Sequence, residues 1–315
     1  VSVDVAKHQE LLSNRVKKTH QKLAAKYERK QLGAYRLYDW DIPEVRVVVD
    51  WYEGHLVVAE YTREQTALIE DYTRSLAIAC ADVLKISHDK IHTKERRTRP
   101  KTGDRYSREA MKNERIVVRE GALKFYCNLD DFLDTGLFSD HRKTRGMVRD
   151  IAQSKRVLNL FAYTGSFSVY AASAGASKVT TVDASRTYLD WAEDNFELNK
   201  LGISRHLFVK DDAREFLHFE KQRRHQYEIV ICDPPSFSTG RDREAFDVQR
   251  DHPGLVSDCL QVVAPGGVLY FSTNHQRFEP LWESVEAASI EEITADTVPE
   301  DYRNKRIHRC FVLKK

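Results

Sequence analysis

From residue 156 onward, short apolar runs alternate with stretches of helical spacing, and no other feature of the chain limits its fold as tightly. The candidate strands are 156–161, 178–183, 206–210, 227–232, 267–272, 289–294 and 307–313, with helices between most of them. Such alternation over roughly 170 residues predicts a mostly parallel sheet covered by helices on both faces. A sheet of that kind carries its ligand in the loops at the carboxyl ends of its strands.

The segment before it has a different texture. Residues 1–32 read as a basic N-terminal helix or linker. Residues 33–133 read as a small α+β domain, with strand pairs turned at Glu-Gly in "VRVVVDWYEGHLVVAEY" and "ERIVVREGALKFYCNL" and a helical stretch over 63–86. Residues 134–315 make up the alternating domain. With 41% apolar and 31% charged residues and no long apolar run, a soluble cytoplasmic protein without a membrane span is expected. The five cysteines, Cys80, Cys127, Cys232, Cys259 and Cys310, form no C-x-x-C, which argues against a disulfide framework or a structural zinc site. The first residue is Val1 rather than Met, which fits a piece of a longer protein.

The loop "NLFAYTGSFSVY" after the first strand of the sheet holds one glycine, Gly165. A dinucleotide site would need G-x-G-x-x-G so that backbone can approach a pyrophosphate, and a phosphate loop would need G-x-x-x-x-G-K-[ST]. Neither occurs. A ligand without phosphates, such as S-adenosyl-L-methionine (AdoMet), needs fewer glycines, and the loop residues Asn159, Phe161, Ala162, Tyr163, Thr164 and Gly165 are candidates to hold it. The second strand ends at Asp183, followed by Ala184 and Ser185, where a carboxylate can accept from ribose hydroxyls. The third ends in "VKDDAREF", where Asp211, Asp212 and Ala213 would face the adenine. The fourth ends at Asp233-Pro234-Pro235, a loop stiffened by two fixed φ angles. A strand-terminal Asp also serves as a helix cap, but four such features in strand order point to an AdoMet-dependent methyltransferase. The fold class is therefore α/β: a Rossmann-like class I methyltransferase with a seven-stranded, mostly parallel sheet, preceded by the small α+β domain.

The runs "NLFAYTGSFSVYAASAGASKVTTVDASRTYLDWAEDNFELN", "DPPSFS" and "AFDVQRDH", with "DTGLFSDHR" and "YRLYDWDIPE" upstream, resemble the C-terminal guanine-N7 half of the bifunctional K/L-type large-subunit ribosomal RNA methyltransferases. The resemblance runs from about Asn14 through nearly the whole chain. It implies methyl transfer to N7 of a guanine in 23S rRNA or a large-subunit assembly intermediate, and a guanine-N2 methyltransferase half upstream in the same polypeptide.

The residues bear on the target atom separately. Cytosine C5 needs a cysteine thiolate to add to C6 first, yet the stretch after the fifth strand, "LYFSTNHQ", has none, and Cys232 lies within an apolar strand. Exocyclic amine transfer usually places an aromatic directly after the two prolines; here Ser236 intervenes before Phe237. Guanine N7 has a free lone pair and no proton to lose, so alignment suffices. The expected catalytic set is Asp233, Pro234, Ser236 and Phe237, with Phe237 stacking on the base and Asp233 also meeting the cofactor. His252 is not expected to be a base. Phe138, Asp140 and Arg142 are candidates for one side of the cofactor or the RNA, or for a helix start. Cytosine-C5 transfer, guanine-N2 transfer, and an inactive fold that only binds RNA stay open as alternatives, with a nicotinamide oxidoreductase remote. No metal is expected.

Lys85 to Lys124 holds thirteen Lys/Arg against six Asp/Glu, and Lys7 to Lys30 holds eight against two. The loop residues Lys94, Arg96, Arg97, Arg99, Lys101, Arg105 and Tyr106 suit contacts to an RNA backbone, and Arg15, Lys17, Lys18, Lys22 and Lys26 extend the charge. Arg250 and Asn274 are further RNA candidates near the expected transfer site.

Overall fold

In a computed structural model the chain divides into two compact units: Val1–Ser139 with Glu300–Arg303, and Asp140–Pro299 with Asn304–Lys315. The structure describes residues 3–96, 112–238 and 245–315.

Unit 1 begins with α1 (Val5–Arg29), capped by the Asp4 carboxylate, which accepts the Lys7 N–H at 3.0 Å. Leu12, Val16, Leu23 and Tyr27 recur along one face of α1 and are buried, so the helix is part of the core of unit 1 and not a linker. The rest of that core is a sheet in the order β1 (Ala34–Asp39), β2 (Val47–Tyr52), β3 (His55–Tyr61), β4 (Ile91–Arg96). The first three strands are antiparallel and β4 is parallel to β3. Strands β2 and β3 turn at Glu53-Gly54, both with positive φ (47° and 88°), the geometry that suits a two-residue hairpin.

Residues 63–86 do not make the single helix that their spacing suggests. Helix α2 (Glu64–Ala67) stops, Asp71 takes a left-handed φ of 53°, and α3 (Tyr72–Leu84) restarts with Tyr72, Leu76, Ala77, Cys80 and Ala81 buried. The second hairpin, β5 (Ile116–Glu120) with β6 (Leu123–Cys127), turns at Gly121-Ala122, one residue later than expected. Residues Glu300–Arg303 complete the unit. The Asp301 carboxylate accepts the Arg36 N–H (2.9 Å) and the Tyr27 hydroxyl (3.1 Å), and the Arg36 guanidinium lies 4.5 Å over the Tyr302 ring.

Unit 2 follows in the order α4 (Arg142–Ile151), β7 (Arg156–Leu160), α5 (Ser166–Ser173), β8 (Lys178–Asp183), α6 (Arg186–Leu198), β9 (Leu207–Lys210), α7 (Ala213–Gln222) and β10 (Tyr227–Cys232). The two-residue strands β11 (Phe237–Ser238) and β12 (Phe246–Asp247) come next, then α8 (Val248–Val262), β13 (Val263–Thr273), β14 (Ser289–Glu292), α9 (Thr294–Thr297) and β15 (Arg309–Lys314). Each of the seven expected strands forms. Their order is β14-β15-β13-β10-β7-β8-β9, parallel from β13 to β9, with β15 antiparallel to both its neighbours. Leu158, Leu160, Val182, Val230, Leu269 and Phe271 on one face pack against α7 and α8, and Val157, Val179, Ile229, Ile231 and Tyr270 on the other pack against α4 and α5. The strand order reverses between β7 and β10, which opens the crevice for a ligand at their carboxyl ends. Among the described residues no helix is long and apolar enough to cross a membrane.

Candidate active site

The loop from β7 to α5 is held in an unusual backbone path. Phe161, Tyr163 and Gly165 all have positive φ (53°, 51° and 72°). Left-handed backbone is uncommon for residues with side chains and collects at functional sites. Four bonds fix this path. The Ala162 N–H donates to the Val182 carbonyl (3.0 Å), the Tyr163 N–H to Asp183 Oδ2 (2.8 Å), the Gly165 N–H to the Ala162 carbonyl (2.9 Å), and Asn195 Nδ2 to the Thr164 carbonyl (3.0 Å). Thr164 and Ala162 are buried, and the Tyr163 ring meets Tyr188 edge to face at 4.6 Å. Gly165 is required for a reason the sequence does not reveal: a Cβ there would lie 2.7 Å from the Ala192 Cβ of α6.

Asp183 ends β8 with each carboxylate oxygen taking one backbone N–H, Tyr163 on Oδ2 and Ser185 on Oδ1, both at 2.8 Å. Burial is the largest influence on this carboxyl and raises its pKa above the usual carboxylate value. A carboxylate has about four acceptor positions, so two stay open for hydroxyl donors. Ala184 beside it is exposed, and Ser185 caps α6. At the end of β9, Asp211 Oδ1 accepts the Asp212 N–H, and Asp212 caps α7 by accepting the Arg214 N–H at 2.9 Å, with Ala213 buried behind it.

Asn159 is a correction. It is 2% exposed and donates to Ser168 Oγ at 2.9 Å, where Thr181 Oγ1 also donates at 2.8 Å. Alternation along β7 turns this side chain into a buried polar tie between β7, β8 and α5.

At the end of β10 the Asp233 carboxylate is held on one side and approached on the other. Ser272 Oγ donates to Oδ1 at 2.6 Å, and His141 Nε2 stands 3.6 Å from Oδ2. Pro234 is buried. Ser236 Oγ donates to Asn274 Oδ1 at 2.7 Å, and its carbonyl accepts the Val248 N–H, so Asn274, expected at the RNA, steadies the acceptor loop. Phe237 is 57% exposed in β11, paired with Asp247 of β12, the residue that caps α8. Arg250 Nε donates to Asp251 Oδ1 (2.6 Å) and Nη2 to the Ala245 carbonyl (2.6 Å). His252 is buried: Nδ1–H donates to the Val248 carbonyl (2.9 Å) and Nε2 accepts the Leu281 N–H (2.9 Å). Burial lowers its pKa, and with both nitrogens engaged the neutral ring ties α8 to the loop that follows.

Behind Asp233 lies a buried group the sequence did not disclose. His308 Nδ1 bonds Asp140 Oδ2 at 2.9 Å and its Nε2 bonds Thr297 Oγ1 at 3.0 Å. His141 stacks on His308 with centroids 4.1 Å apart and planes 15° apart, and its Nε2 stands 3.7 Å from Asp140. Burial, the largest influence, lowers the His141 pKa, keeping it neutral near pH 7. Asp140, His141 and His308 are close enough to one another to suggest a metal. However, imidazoles ligate in the ring plane, and two parallel stacked planes do not converge on one ion. The group instead backs Asp233 with dipoles. Asp140 is thus an internal partner of His308, 168 positions away in the chain, and Arg142 opens α4.

The remaining expectations fall in unit 1. Phe138 is 41% exposed. Lys94 is corrected: it is 7% exposed within β4, and its ammonium donates to the Phe132 carbonyl, so it offers nothing to an RNA backbone. Arg96 is the last residue of β4, while Arg97, Arg99, Lys101, Arg105 and Tyr106 lie outside the described residues. Arg15 pairs with Asp41 (2.8 Å) and Lys26 with Glu300 (2.6 Å), whereas Lys17, Lys18 and Lys22 are exposed.

The donor set fits AdoMet. A one-glycine turn leaves no cradle for a pyrophosphate, while Asp183 keeps acceptor capacity for a ribose and the Asp233 loop stands across the same sheet end. Those are the requirements of a Rossmann-like AdoMet-dependent methyltransferase. The chain belongs to the S-adenosylmethionine-dependent methyltransferase family, whose model matches residues 34–299. Among curated relatives, the ribosomal RNA large subunit methyltransferase K/L of Hahella chejuensis is 39% identical over 98% of this chain and 43% of its own length. That of Shewanella loihica is 41% identical over 96% of this chain and 43% of its own. The ribosomal RNA large subunit methyltransferase K of Neisseria meningitidis serogroup B is 39% identical over 96% of this chain and 86% of its own. The chain therefore spans less than half of the K/L relatives it matches. The solved structure of SMU.776 complexed with SAH shares the fold (TM-score 0.79, 24% identity, 100% of this chain and 83% of that one). So does an AdoMet-dependent methyltransferase from Agrobacterium tumefaciens (TM-score 0.63, 22% identity, 89% of each chain).

Proposed function

We propose that this chain methylates N7 of a guanine in 23S rRNA by base positioning, with no covalent intermediate. The observation that carries the reading is the state of the cysteines. All five are buried, and burial pushes the Cys232 thiol, next to the acceptor loop, well up from its ordinary value. A cytosine-C5 transfer needs an accessible thiolate at that loop, so it is disfavoured. Guanine N7 needs neither nucleophile nor base.

AdoMet, when bound, supplies a methyl carbon already activated on a sulfonium sulfur. Asp183 would accept from its ribose, the 161–165 loop would line it, and Asp212 would stand beside the adenine. Asp233, fixed by Ser272 and backed by His141, would hold the donor's amino group or the base edge. Phe237 has an exposed face on which an unstacked guanine can lie, which offsets part of the cost of flipping the base out. The tie between Ser236 and Asn274 braces the loop between Asp233 and Phe237, and alignment would supply most of the rate when no proton must move. The names of the relatives support ribosomal RNA as substrate. An upstream guanine-N2 half in the same polypeptide accords with the chain spanning 43% of the K/L relatives, and a ribosomal RNA substrate would place its action in the cytoplasm.

The test is mass spectrometry of nucleosides from large-subunit rRNA lacking the modification, incubated with the protein and labelled AdoMet. Labelled 7-methylguanosine is the expected product. Label in 5-methylcytidine or N2-methylguanosine overturns the target atom. AdoMet binding without transfer to rRNA, whether naked or in an assembly intermediate, would favour an RNA-binding module on an inactive fold.

A further inference from the structure

Unit 1 contains a cavity of about 450 Å³ between α1, the β2–β3 turn and β5. That is within the range of small-molecule sites. One wall is aromatic. Trp51 and Tyr35 stack with centroids 6.0 Å apart and planes 23° apart, and the His20 ring lies 4.7 Å from Trp51. The other wall is charged and built to stay in place. Arg119 donates from Nε and Nη2 to Glu53, both at 2.9 Å, and from Nη1 and Nη2 to Glu28 at 3.2 and 3.3 Å. Gly33 makes room for this: a Cβ there would lie 1.9 Å from Glu53 Oε1. The backbone closes around it, with the Gly33 N–H donating to the Arg119 carbonyl and the Glu53 N–H to the Gly33 carbonyl, both at 2.8 Å.

We propose that this cavity is a binding pocket for one unpaired guanine base of the RNA. The proposal rests on the RNA-substrate reading above and adds to it a second base site, separate from the guanine that is methylated. Tyr35 is buried, so the half-buried Trp51 and His20 are the rings of this wall that a base can pack against, a contact every base can use. The charged wall selects among bases. Of the five guanidinium hydrogens, four go to Glu53 and Glu28, leaving one on Nη1 for an acceptor. Guanine presents the acceptor O6 beside two adjacent donors, N1–H and N2–H, and the exposed Glu28 carboxylate can take both. Adenine, cytosine and uracil each set their acceptors beside a single donor group on that edge, so they lack the paired donors. Two carboxylates beside one guanidinium repel a bare phosphate, so the base and not the backbone enters. The backbone has its own track: Lys17 and Gln21, both exposed, precede the lining residues His20 and Ala24 by three positions and share their face of α1.

The probes are three labelled pentaribonucleotides, UUGUU, UUAUU and UUCUU, titrated by fluorescence anisotropy into the full chain. UUGUU is expected to bind about tenfold more tightly than the other two. Trp51→Leu should weaken UUGUU about tenfold, Trp51→Phe should keep most of the affinity, and Glu28→Gln should abolish the preference for guanine. Circular dichroism of each variant matching the unsubstituted chain shows that unit 1 is folded, and unchanged calorimetric AdoMet affinity shows the same of unit 2. Equal binding of the three oligomers, or Trp51→Leu and Glu28→Gln binding as the unsubstituted chain does, overturns the pocket. The two readings separate in the transfer assay. If rRNA is methylated and Trp51→Leu leaves the KM for rRNA unchanged, the pocket fails while the function stands. If rRNA is not methylated but UUGUU binds through Trp51, the pocket stands and the methyl acceptor must be sought elsewhere.

Discussion

Gly165 has two reasons to be glycine, its φ of 72° and the 2.7 Å a Cβ would leave to Ala192. Gly165→Ala should therefore cost about 1–3 kcal/mol through overpacking, with a further strain of about 1 kcal/mol from the left-handed backbone. It should also weaken AdoMet binding by displacing the 161–165 path. Adding Ala192→Gly restores the space but not the φ, so calorimetry on the pair separates the two effects: AdoMet affinity should return while part of the stability loss persists. Asp183 makes a pH prediction. Its pKa is raised, chiefly by burial, and the ionised form is the one that accepts ribose hydroxyls. AdoMet affinity should fall as pH drops through that raised value, before ordinary carboxylates titrate near 3.8. Asp183→Asn should bind weakly at every pH, without that acid limb. An affinity in the unsubstituted chain that does not fall on the acid side before ordinary carboxylates titrate would remove Asp183 from the ribose. At this scale the chemistry-bearing aspartates were legible because each ends an apolar run. Asn159 was misread because a single polar residue in a buried strand looks the same whether it faces a ligand or a helix. His308 gave no signal, since its partner Asp140 is distant in the chain.

Helix α8 shows how an element corrects its own defect. Pro253 lies inside it and has no N–H for the Gln249 carbonyl. The preceding His252 bends its Nδ1–H back to the Val248 carbonyl and to within 3.1 Å of the Gln249 carbonyl, while Nε2 takes the Leu281 N–H from the following loop. The ring packs against Phe271, Phe278 and Trp282. His252→Ala should cost about 3–5 kcal/mol, from a cavity and buried groups left without partners, whereas Pro253→Ala should change stability by less than about 1 kcal/mol. At a temperature where His252→Ala stays folded, kcat should remain within about threefold of the unsubstituted chain. A fall of a hundredfold or more would point to the histidine as a general base, against the expectation from sequence. The parallel sheet was readable because its central strands are near-continuous apolar runs. Strand β4 was not: "IHTKER" has the composition of a loop, and it forms a strand because β3 offers a partner and an edge strand tolerates charge.

At the scale of the whole molecule, acid sensitivity is shared between the units. Burial is the largest influence lowering the pKa of His8, His20 and His55 in unit 1 and of His141, His206 and His252 in unit 2. Below about pH 6.5 the unfolded chain binds protons at these positions before the folded one does, so stability is lost as pH falls from 7.5 toward the lowered values. Scanning calorimetry at pH 7.5 and 5.5 should show the transitions of both units moving down by several degrees; a shift in one alone would mean that the other unit's histidines are not desolvated in solution. The return of Glu300–Arg303 to unit 1 left no mark in the sequence, because a four-residue excursion has no periodicity to read. Its consequence is one of timing. Unit 1 is encoded first, yet the carboxylate that holds Tyr27 and Arg36 arrives only with Asp301. At cellular rates of synthesis, about 10–30 s separate the emergence of residue 139 from that of residue 303. During that interval the earlier unit waits on the ribosome one piece short, and its last closure coincides with the making of the methyltransferase sheet's final strand.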